Sequence, residues 1–317
     1  MRYRFITVVH FLKLGKPNCI IPLPSGMLSN KSSLLKDILS YKSTLALGTM
    51  GVHSIDEFQG NTFYFVDGEF DSSITQKKVD SFGTMMAFGL LRQIQSLTNG
   101  LWSIRDNSVY VRDGFLFVYD KEFDDGVSFK ASLSTINTKA SGLIEEVCFS
   151  KEEIESVSES MQVISMDDVS SGANFRNATQ FQYFKNAKMG RKAIAELYVF
   201  HTRASASLSM KVLLYITAME ALISTSTAEL SHQVAERVAV LLGKDAATRI
   251  VIYDEIKRGY GCRSKTAHGE ALKGTEQDVA GLLERLDEYV RQLLQLDTPY
   301  DLDPVQINDF FLDKILA

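Results

Sequence analysis

The sequence predicts an α+β protein, in which an N-terminal mixed α/β domain is followed by an all-α helical bundle. Residues Tyr3–Leu12 are rich in β-branched and aromatic side chains, which is typical of a strand. From about residue 190 to residue 296, apolar side chains recur at helical spacing with few interruptions. The 317 residues are enough for two domains, and an apolar fraction of 45% is enough for a buried core.

Two helices are expected in the N-terminal half. Leu34–Tyr41 is a candidate short helix that follows Pro17, Pro22 and Pro24, which interrupt regular structure. Thr75–Leu97 is a longer one, which Asn99-Gly100 is predicted to end. Its apolar residues follow helical spacing: Val79, Phe82, Met86, Leu90 and Ile94.

Two hairpins are also predicted there. The segments Asn61–Phe70 and Val109–Tyr119 are apolar, and each contains an Asp-Gly pair. Because Asp and Gly tolerate positive φ, Asp67-Gly68 and Arg112-Asp113-Gly114 are expected to be the turns.

Capping residues mark the helices of the second half. Ser150 and Glu153 form a capping-box pattern ahead of Ile154 and Val157. Ser170–Asn174 is the best linker candidate. Further helices are predicted through Ala193 and Phe200, over Leu208–Ile223, from Glu229 to Leu242, from Asp245 onward, and from Gly274 through Leu293.

The helix predicted over Leu208–Ile223 is apolar nearly all round, which indicates the central helix of the bundle. We therefore divide the chain into a mixed α+β sensor or regulatory domain (residues 1–185), a helical bundle (186–298) and an acidic C-terminal tail (299–317).

Composition narrows the function classes. Cys19, Cys148 and Cys262 are scattered and match neither a zinc spacing nor a disulfide framework, which suits a cytoplasmic protein. No signal peptide or membrane span is predicted. The net charge of −5 argues against non-specific coating of nucleic acid. No metal site and no cofactor are predicted, and P-loop and dinucleotide-binding motifs are lacking.

The stretch Gly259–Gly269 contains several residues that can bind phosphate or transfer a proton. Arg263 can bind a phosphate bidentately, and His268 can exchange a proton near neutral pH. Together they predict a metal-free phosphodiester-cleaving site. Residues 237–273 carry eight Lys or Arg against four Asp or Glu, so the surroundings are locally basic. Lys257, Arg258 and Lys265 are candidates to steer RNA, although charges on solvated helix faces would look the same.

The order of helical blocks around this pair resembles the HEPN superfamily, and most closely its ApeA-like branch. The resemblance covers about residues 190–296 and rests on Met219–Leu222, Glu229–Val238, Leu241–Gly243 and Tyr253–Gly269. It implies a helical bundle that forms a homodimer, in which the Arg and His of both copies meet near the two-fold axis. It also implies a metal-independent endoribonuclease acting in phage defence or as a toxin, under a phage-derived trigger or an antitoxin.

Arg263 and His268 match the catalytic positions of that family. The residue after the Arg, often Asn, Asp or His in active members, is Ser264 here, which can still donate or accept a hydrogen bond. Glu220 lies on the helix predicted to be buried, where a carboxylate needs a partner, so we interpret it as a supporting residue that orients a basic side chain.

Structural interpretations of the same residues stay open. Five helical residues turn about 500°, so Arg263 and His268 cannot share a face of one regular helix. Either the segment is irregular or the site is built across a dimer. As the structural alternative, Arg263 would pair with a bundle carboxylate such as Glu220 or Glu229, and His268 would bond a carbonyl at a helix end. His232 is interpreted as a bundle histidine. The alternative function is a catalytically silent dimerisation module that binds RNA or nucleotide.

Overall fold

The computed structural model describes residues 1–39, 42–172, 189–226, 228–272 and 274–316. The chain forms two compact units, and the predicted α+β class is confirmed. The first unit combines residues 1–136 with 145–180, and the second combines 137–144 with 181–317. The boundary predicted near residue 185 lies outside the described residues.

A six-stranded antiparallel sheet forms the first unit, with strand order β3-β4-β5-β1-β6-β7. The strand predicted over Tyr3–Leu12 is confirmed as β1, one of the two central strands of this sheet, and β2 and β8 form a separate parallel pair. The strands are β1 (Arg2–His10), β2 (Leu12–Leu14), β3 (Ile20–Pro22), β4 (Met27–Ser29), β5 (Thr62–Glu69), β6 (Tyr110–Tyr119), β7 (Gly126–Ser132) and β8 (Val147–Phe149).

Helices cover both faces of the sheet, because successive β1 side chains point to opposite faces and both sets are apolar. Phe5 joins the core under the helix α3, whereas Ile6 joins the core under α1 and α2. The helices of this unit are α1 (Ser32–Ile38), α2 (Thr44–Glu57), α3 (Gln76–Gly100), α4 (Lys151–Ser158) and α5 (Met166–Ser170). The predicted helices at 34–41, 75–97 and after the Ser150 capping box are confirmed, with residues 40 and 41 outside the described range.

The hairpin predicted at Asp67-Gly68 is wrong. β5 runs straight through both residues and pairs with β1. Asp67 serves as the cross-strand partner of Arg4, with 2.7 Å between Nε and Oδ1. Gly68 leaves room for the Tyr3 ring, since a Cβ there would lie 2.3 Å from Tyr3 Cζ. An ion pair and close ring packing therefore explain these residues inside a strand.

The turn predicted at Arg112-Asp113-Gly114 is also wrong, because β6 continues through it. The register with β1 shifts between Thr7 and Val9, so Arg112 and Asp113 form a β-bulge. A Cβ on Gly114 would approach the Phe5 ring to 2.7 Å, so only glycine fits this close packing.

The second unit is a helical bundle built around α7. This helix packs against α6, α8, α9 and α10, and its apolar side chains Val212, Ile216, Met219 and Leu222 are fully buried, as predicted. The helices predicted from Asp245 and from Gly274 are confirmed as α9 and α10, which begin with capping boxes at Asp245 and Thr275. The helices are α6 (Arg191–Arg203), α7 (Leu208–Ile223), α8 (Leu230–Leu242), α9 (Ala246–Ala267), α10 (Glu276–Gln295) and α11 (Pro304–Leu316).

Two segments differ from the predicted division. Residues 137–144 belong to the helical unit, where Thr138 N donates to Arg203 O at 2.8 Å. The predicted acidic tail, residues 299–317, contains α11, whose Ile307 and Phe311 are buried against the bundle. The predicted linker Ser170–Asn174 begins at the last residue of α5, and its residues 173 and 174 lie outside the described range.

Among the helices of the described ranges, none has both the length and the apolar character needed to cross a bilayer.

Candidate functional site

The stretch around Arg263 is a regular helix. Helix α9 continues without a break to Ala267, so the first of the two alternatives, an irregular segment between Arg263 and His268, does not hold. The helix ends at His268, followed by Gly269 at φ +71°, a backbone conformation that favours glycine. Gly269 N donates to Thr266 O and Glu270 N to Lys265 O, which is the bond pattern of a Schellman motif. Arg263 therefore lies within the last turns, and His268 is the C-cap.

Arg263 continues the bundle-facing stripe of α9, which runs through the buried Ile252, Ile256 and Gly259 at helical spacing. Its Nη2 lies 3.2 Å from Oε2 of Glu220 on α7. The Arg263 side chain is 36% exposed and the Glu220 side chain 12%. Of the two carboxylates considered as partners, Glu220 is thus the one that pairs, and the guanidinium keeps an exposed portion.

Tyr260, one turn before Arg263, completes this cluster. Its ring centroid lies 5.9 Å from Arg263 Cζ. Burial raises the pKa of Tyr260, and the negative charge and hydrogen-bonding contact of Glu220 raise it further. Within the described part of the chain, however, Tyr260 Oη and Glu220 Oε1 are buried and make no hydrogen bond of regular geometry. The contact between them is therefore mainly electrostatic, and the hydroxyl stays protonated at neutral pH.

His268 lies at the surface. Its backbone N–H donates to Ser264 O at 3.1 Å, while the ring is exposed and makes no hydrogen bond or ion pair with any described residue. Ser264 is exposed as well. Arg263 and His268 are not hydrogen-bonded to each other, and five residues of helix separate their directions by about 140°. One protomer thus presents the two groups at one helix end without a direct bond between them.

The three candidate RNA-steering residues also lie on α9. Lys257 Nζ donates to Ser231 Oγ at 2.9 Å, and Arg258 Nη2 donates to Asp278 O at 3.2 Å. Lys265 is partly exposed in the last turn of the helix. Lys257 and Arg258 therefore connect α9 to neighbouring segments of the bundle. Lys265 lies between Arg263 and His268 in the sequence.

Other residues considered from the sequence have structural surroundings. His232 Nδ1 lies 2.8 Å from Tyr253 Oη, so this histidine bridges α8 and α9. Cys262 is half-buried. No group of three or more His, Cys, Asp and Glu side chains among the described residues is placed to hold a metal ion. Sequence reasoning missed Tyr260, although its position three residues before Arg263 on one helix was the available signal.

Comparisons with protein-family models, with curated proteins and with solved structures return no match to this chain. The resemblance to HEPN proteins therefore stays a prediction, and the site is characterised by its own geometry.

Proposed function

We propose that the protein is a metal-independent HEPN-like endoribonuclease that acts as a homodimer in the cytoplasm, as an effector of phage defence or as a toxin. The observation that carries the proposal is that a partly exposed Arg263 and an exposed His268 lie at the same end of α9. A guanidinium that binds the phosphate, together with one imidazole as base and a second as acid, can cleave RNA through its own 2′-hydroxyl without a metal.

The reaction uses the chemistry of these two groups. The His268 imidazole takes the proton of a ribose 2′-hydroxyl, and the oxygen attacks the adjacent phosphorus. The bond from phosphorus to the 5′-oxygen breaks, and His268 of the second protomer, in its protonated form, donates to that leaving oxygen. Arg263 binds the phosphate and stabilises the charge that develops in the transition state. The products are a 2′,3′-cyclic phosphate and a 5′-hydroxyl.

A dimer follows from this chemistry, since one histidine cannot be base and acid at the same instant. The angular separation of Arg263 and His268 on α9 supports the same conclusion, because groups on two copies can converge on one phosphate where groups on one copy diverge.

Glu220 of α7 positions Arg263 through their ion pair. Its carboxylate fixes the guanidinium through one of the terminal nitrogens, which leaves other N–H groups for a phosphate. In this role Glu220 is a positioning residue, and Ser264 supplies a further polar group beside Arg263.

The second candidate function is a catalytically silent module that dimerises and binds RNA or nucleotide. The ion pair between Arg263 and Glu220 favours it, since a salt bridge between α9 and α7 gives Arg263 a purely structural role. A thermal-shift screen against nucleotides tests whether this module binds nucleotide, because a nucleotide that binds the folded protein raises its melting temperature.

The proposal is tested with the purified full-length protein and 5′-labelled single-stranded RNA in the presence of EDTA. We expect cleavage that leaves a 2′,3′-cyclic phosphate and a 5′-hydroxyl, and no cleavage of the matching DNA, which lacks the 2′-hydroxyl. Arg263→Ala and His268→Ala are each expected to slow cleavage by about 100-fold or more. Expression of the wild type, but of neither variant, is expected to arrest bacterial growth.

Matched controls are available in the same chain. Arg285 pairs with Glu255 much as Arg263 pairs with Glu220, with a similarly exposed guanidinium, so Arg285→Ala measures the effect of losing a bundle salt bridge alone. His53→Ala removes an exposed histidine of the first unit. Cleavage that needs magnesium, products with a 5′-phosphate, or a strictly monomeric protein in sedimentation would refute the nuclease. RNA binding without cleavage would support the second candidate function, the catalytically silent module.

A further inference from the structure

β7 is an edge strand of the sheet in the first unit. It has seven residues, Gly126–Ser132, and within the ranges that the structure describes it pairs with β6 and with no other strand. β3, at the opposite edge, has three residues and ends at Pro22, which has no N–H to donate. Backbone N–H and C=O groups along an edge can pair with a strand of another chain, so β7 is the edge that offers a long ladder.

The hydrogen bonds of the ladder identify which residues of β7 direct their backbone groups outward. Just beyond the strand, Leu133 N donates to Arg112 O at 2.8 Å, and these two residues continue the register between β6 and β7. In an antiparallel pair, residues that bond to the neighbouring strand alternate with residues that bond away from it. Because Leu133 bonds towards β6, every second residue before it does so too. The outward residues are therefore Gly126, Ser128, Lys130 and Ser132.

Lys130, the one charged residue of β7, does not block this edge. A lysine that extends past an edge strand hinders pairing with another chain. Lys130 instead reaches across to β6, where its Nζ lies 3.2 Å from Asp113 Oδ1 and 5.4 Å from the Phe115 ring centroid. Asp113 and Glu57 also pair with Arg112, so two cations and two carboxylates balance each other in this group.

The sequence of β7 suits antiparallel pairing with a second copy of itself. With a two-fold axis at Phe129, all seven residues are paired, and each outward residue faces an outward residue of the other copy. Gly126 then faces Ser132, and Ser128 faces Lys130, so no charge is opposed to a like charge. Phe129 faces its own copy, and aromatic cross-strand pairs stabilise antiparallel sheets.

Phe129 is placed for such a contact. Its ring packs on α3, since a Cβ on Gly83 would lie 2.4 Å from Cε2 of the ring, yet the side chain is only partly buried. Other positions of the axis fit less well. An axis at Lys130 would oppose two cations, and an axis at Ser128 would leave Ser132 beyond the end of the paired strands.

We infer that β7 is a homodimerisation edge, at which the β7 strands of two copies pair antiparallel about a two-fold axis at Phe129 and join the two six-stranded sheets into one. A second copy is favoured over a peptide of another protein because the strand is complementary to itself along its whole length. The inference goes beyond the proposed nuclease and does not rest on it, because β7 belongs to the first unit and Arg263 and His268 belong to the second.

A disulfide trap tests the position of the axis. Residues that face each other without hydrogen bonds in an antiparallel pair have Cα atoms about 4.5 Å apart, which a disulfide can bridge. Full-length Phe129→Cys is therefore expected to form a linked dimer with oxidised glutathione, seen on a non-reducing gel and assigned by mass spectrometry of the linked peptide. Val127→Cys, on the same face of β7, is the matched control, since its two copies would lie about 14 Å apart and stay unlinked. The wild type, with its three native cysteines, gives the background.

A proline at the edge tests the new ladder itself. The Lys130 N–H points outward, so Lys130→Pro removes a donor from the dimer ladder and none from the pairing with β6. Lys130→Ala loses the same ion pair with Asp113 but keeps the N–H, and it is the matched control. In sedimentation, the dimer dissociation constant of Lys130→Pro is expected to be at least about tenfold higher than that of Lys130→Ala. A separate contact through the ends of α9 would affect both variants equally.

Four outcomes overturn the inference. These are a wild type that sediments as a monomer, no linked dimer in a folded Phe129→Cys variant, equal cross-linking of Val127→Cys, and equal dissociation constants for the two Lys130 variants. Circular dichroism verifies that each variant is folded. If Phe129→Cys does not fold, the comparison of the two Lys130 variants decides alone. The RNA cleavage assay is read separately, so failure of the nuclease proposal does not affect this result.

Discussion

Buried tyrosine hydroxyls join separate segments of the second unit through hydrogen bonds. Tyr215 of α7 donates to Asp287 Oδ1 of α10 at 2.6 Å. Tyr300, which precedes α11, donates to Leu293 O of α10 at 2.7 Å. Burial raises the pKa of Tyr300 to about 12. A tyrosine whose pKa is raised on folding stabilises the native state only while it stays protonated.

The stabilisation that Tyr300 contributes is expected to disappear at alkaline pH. In the unfolded chain Tyr300 ionises near pH 10, while in the folded chain it stays protonated up to about pH 12. Its contribution is therefore complete below pH 10 and is lost as the pH rises towards 12. Tyr300→Phe is expected to lower the free energy of unfolding by about 1 kcal/mol at pH 7, through loss of the hydrogen bond.

The same substitution should flatten the fall in stability between pH 10 and 12. Urea unfolding followed by circular dichroism at a series of pH values measures both effects. Tyr198→Phe is a suitable control, because Tyr198 lies only partly buried on α6. A wild type and a Tyr300→Phe variant with parallel pH profiles would contradict the prediction.

At the scale of elements, α9 approaches the central helix α7 closely at one glycine. A Cβ on Gly259 would lie 2.8 Å from Ile216 Cδ1 and 3.5 Å from Leu286 Cδ1. The contact between α9 and α7 therefore depends on the missing side chain, and it sets the distance at which Arg263, one turn further on, meets Glu220.

Gly259→Leu is expected to destabilise the bundle by about 2 kcal/mol, because the added side chain must displace Ile216 and Leu286 in a packed core. Gly261→Ala is the matched control on the same helix. Its added Cβ meets nothing within 4 Å, so it should stabilise the protein by about 0.5 kcal/mol through helix propensity. Thermal unfolding of both variants measures these shifts, and equal melting temperatures would show that the close approach is not required.

At the scale of the whole molecule, the chain leaves the first unit at residue 137, contributes one segment to the helical unit and returns at residue 145. This segment serves the core of the bundle. Lys211 of α7 is fully buried, and its Nζ donates to Thr202 O at 2.9 Å and to Thr138 O at 3.5 Å. The segment 137–144 thus supplies one acceptor for a buried cation, which would be costly to leave without it.

A fragment of residues 186–317, cut at the boundary predicted from the sequence, is therefore expected to be less stable than a bundle that keeps residues 137–144. Adding a synthetic peptide of residues 137–144 in excess should raise the urea midpoint of the fragment, because a ligand that binds the folded state stabilises it. A scrambled peptide is the control. Lys211→Met in the fragment should raise the midpoint without any peptide, and an unchanged midpoint in both experiments would contradict the prediction.

Much of the bundle was predictable because its signals are local. The bounds of α7 match the apolar segment Leu208–Ile223, and the capping residues Asp245 and Thr275 identify where α9 and α10 begin. These signals join residues three or four positions apart, which is the range over which a helix organises itself.

The candidate site was predictable in composition but not in geometry. Arg263 and His268 follow from residue types and spacing, whereas the pairing of Arg263 with Glu220 joins residues 43 positions apart. Tyr260 acquires its importance only from that pairing.

Patterns among residues close together in the sequence thus specify the helices of this protein and their caps. They also specify the residue types, Arg263 and His268, that lie near the end of α9. Asp67-Gly68 marks the limit of such patterns, because the same dipeptide that favours a turn lies inside a strand once Arg4 and Tyr3 of the neighbouring strand are present. Contacts between residues distant in sequence fixed the sheet register and the partner of Arg263. They could do so because a cross-strand ion pair and close ring packing together outweigh a turn preference that amounts to a fraction of a kcal/mol to about 1 kcal/mol.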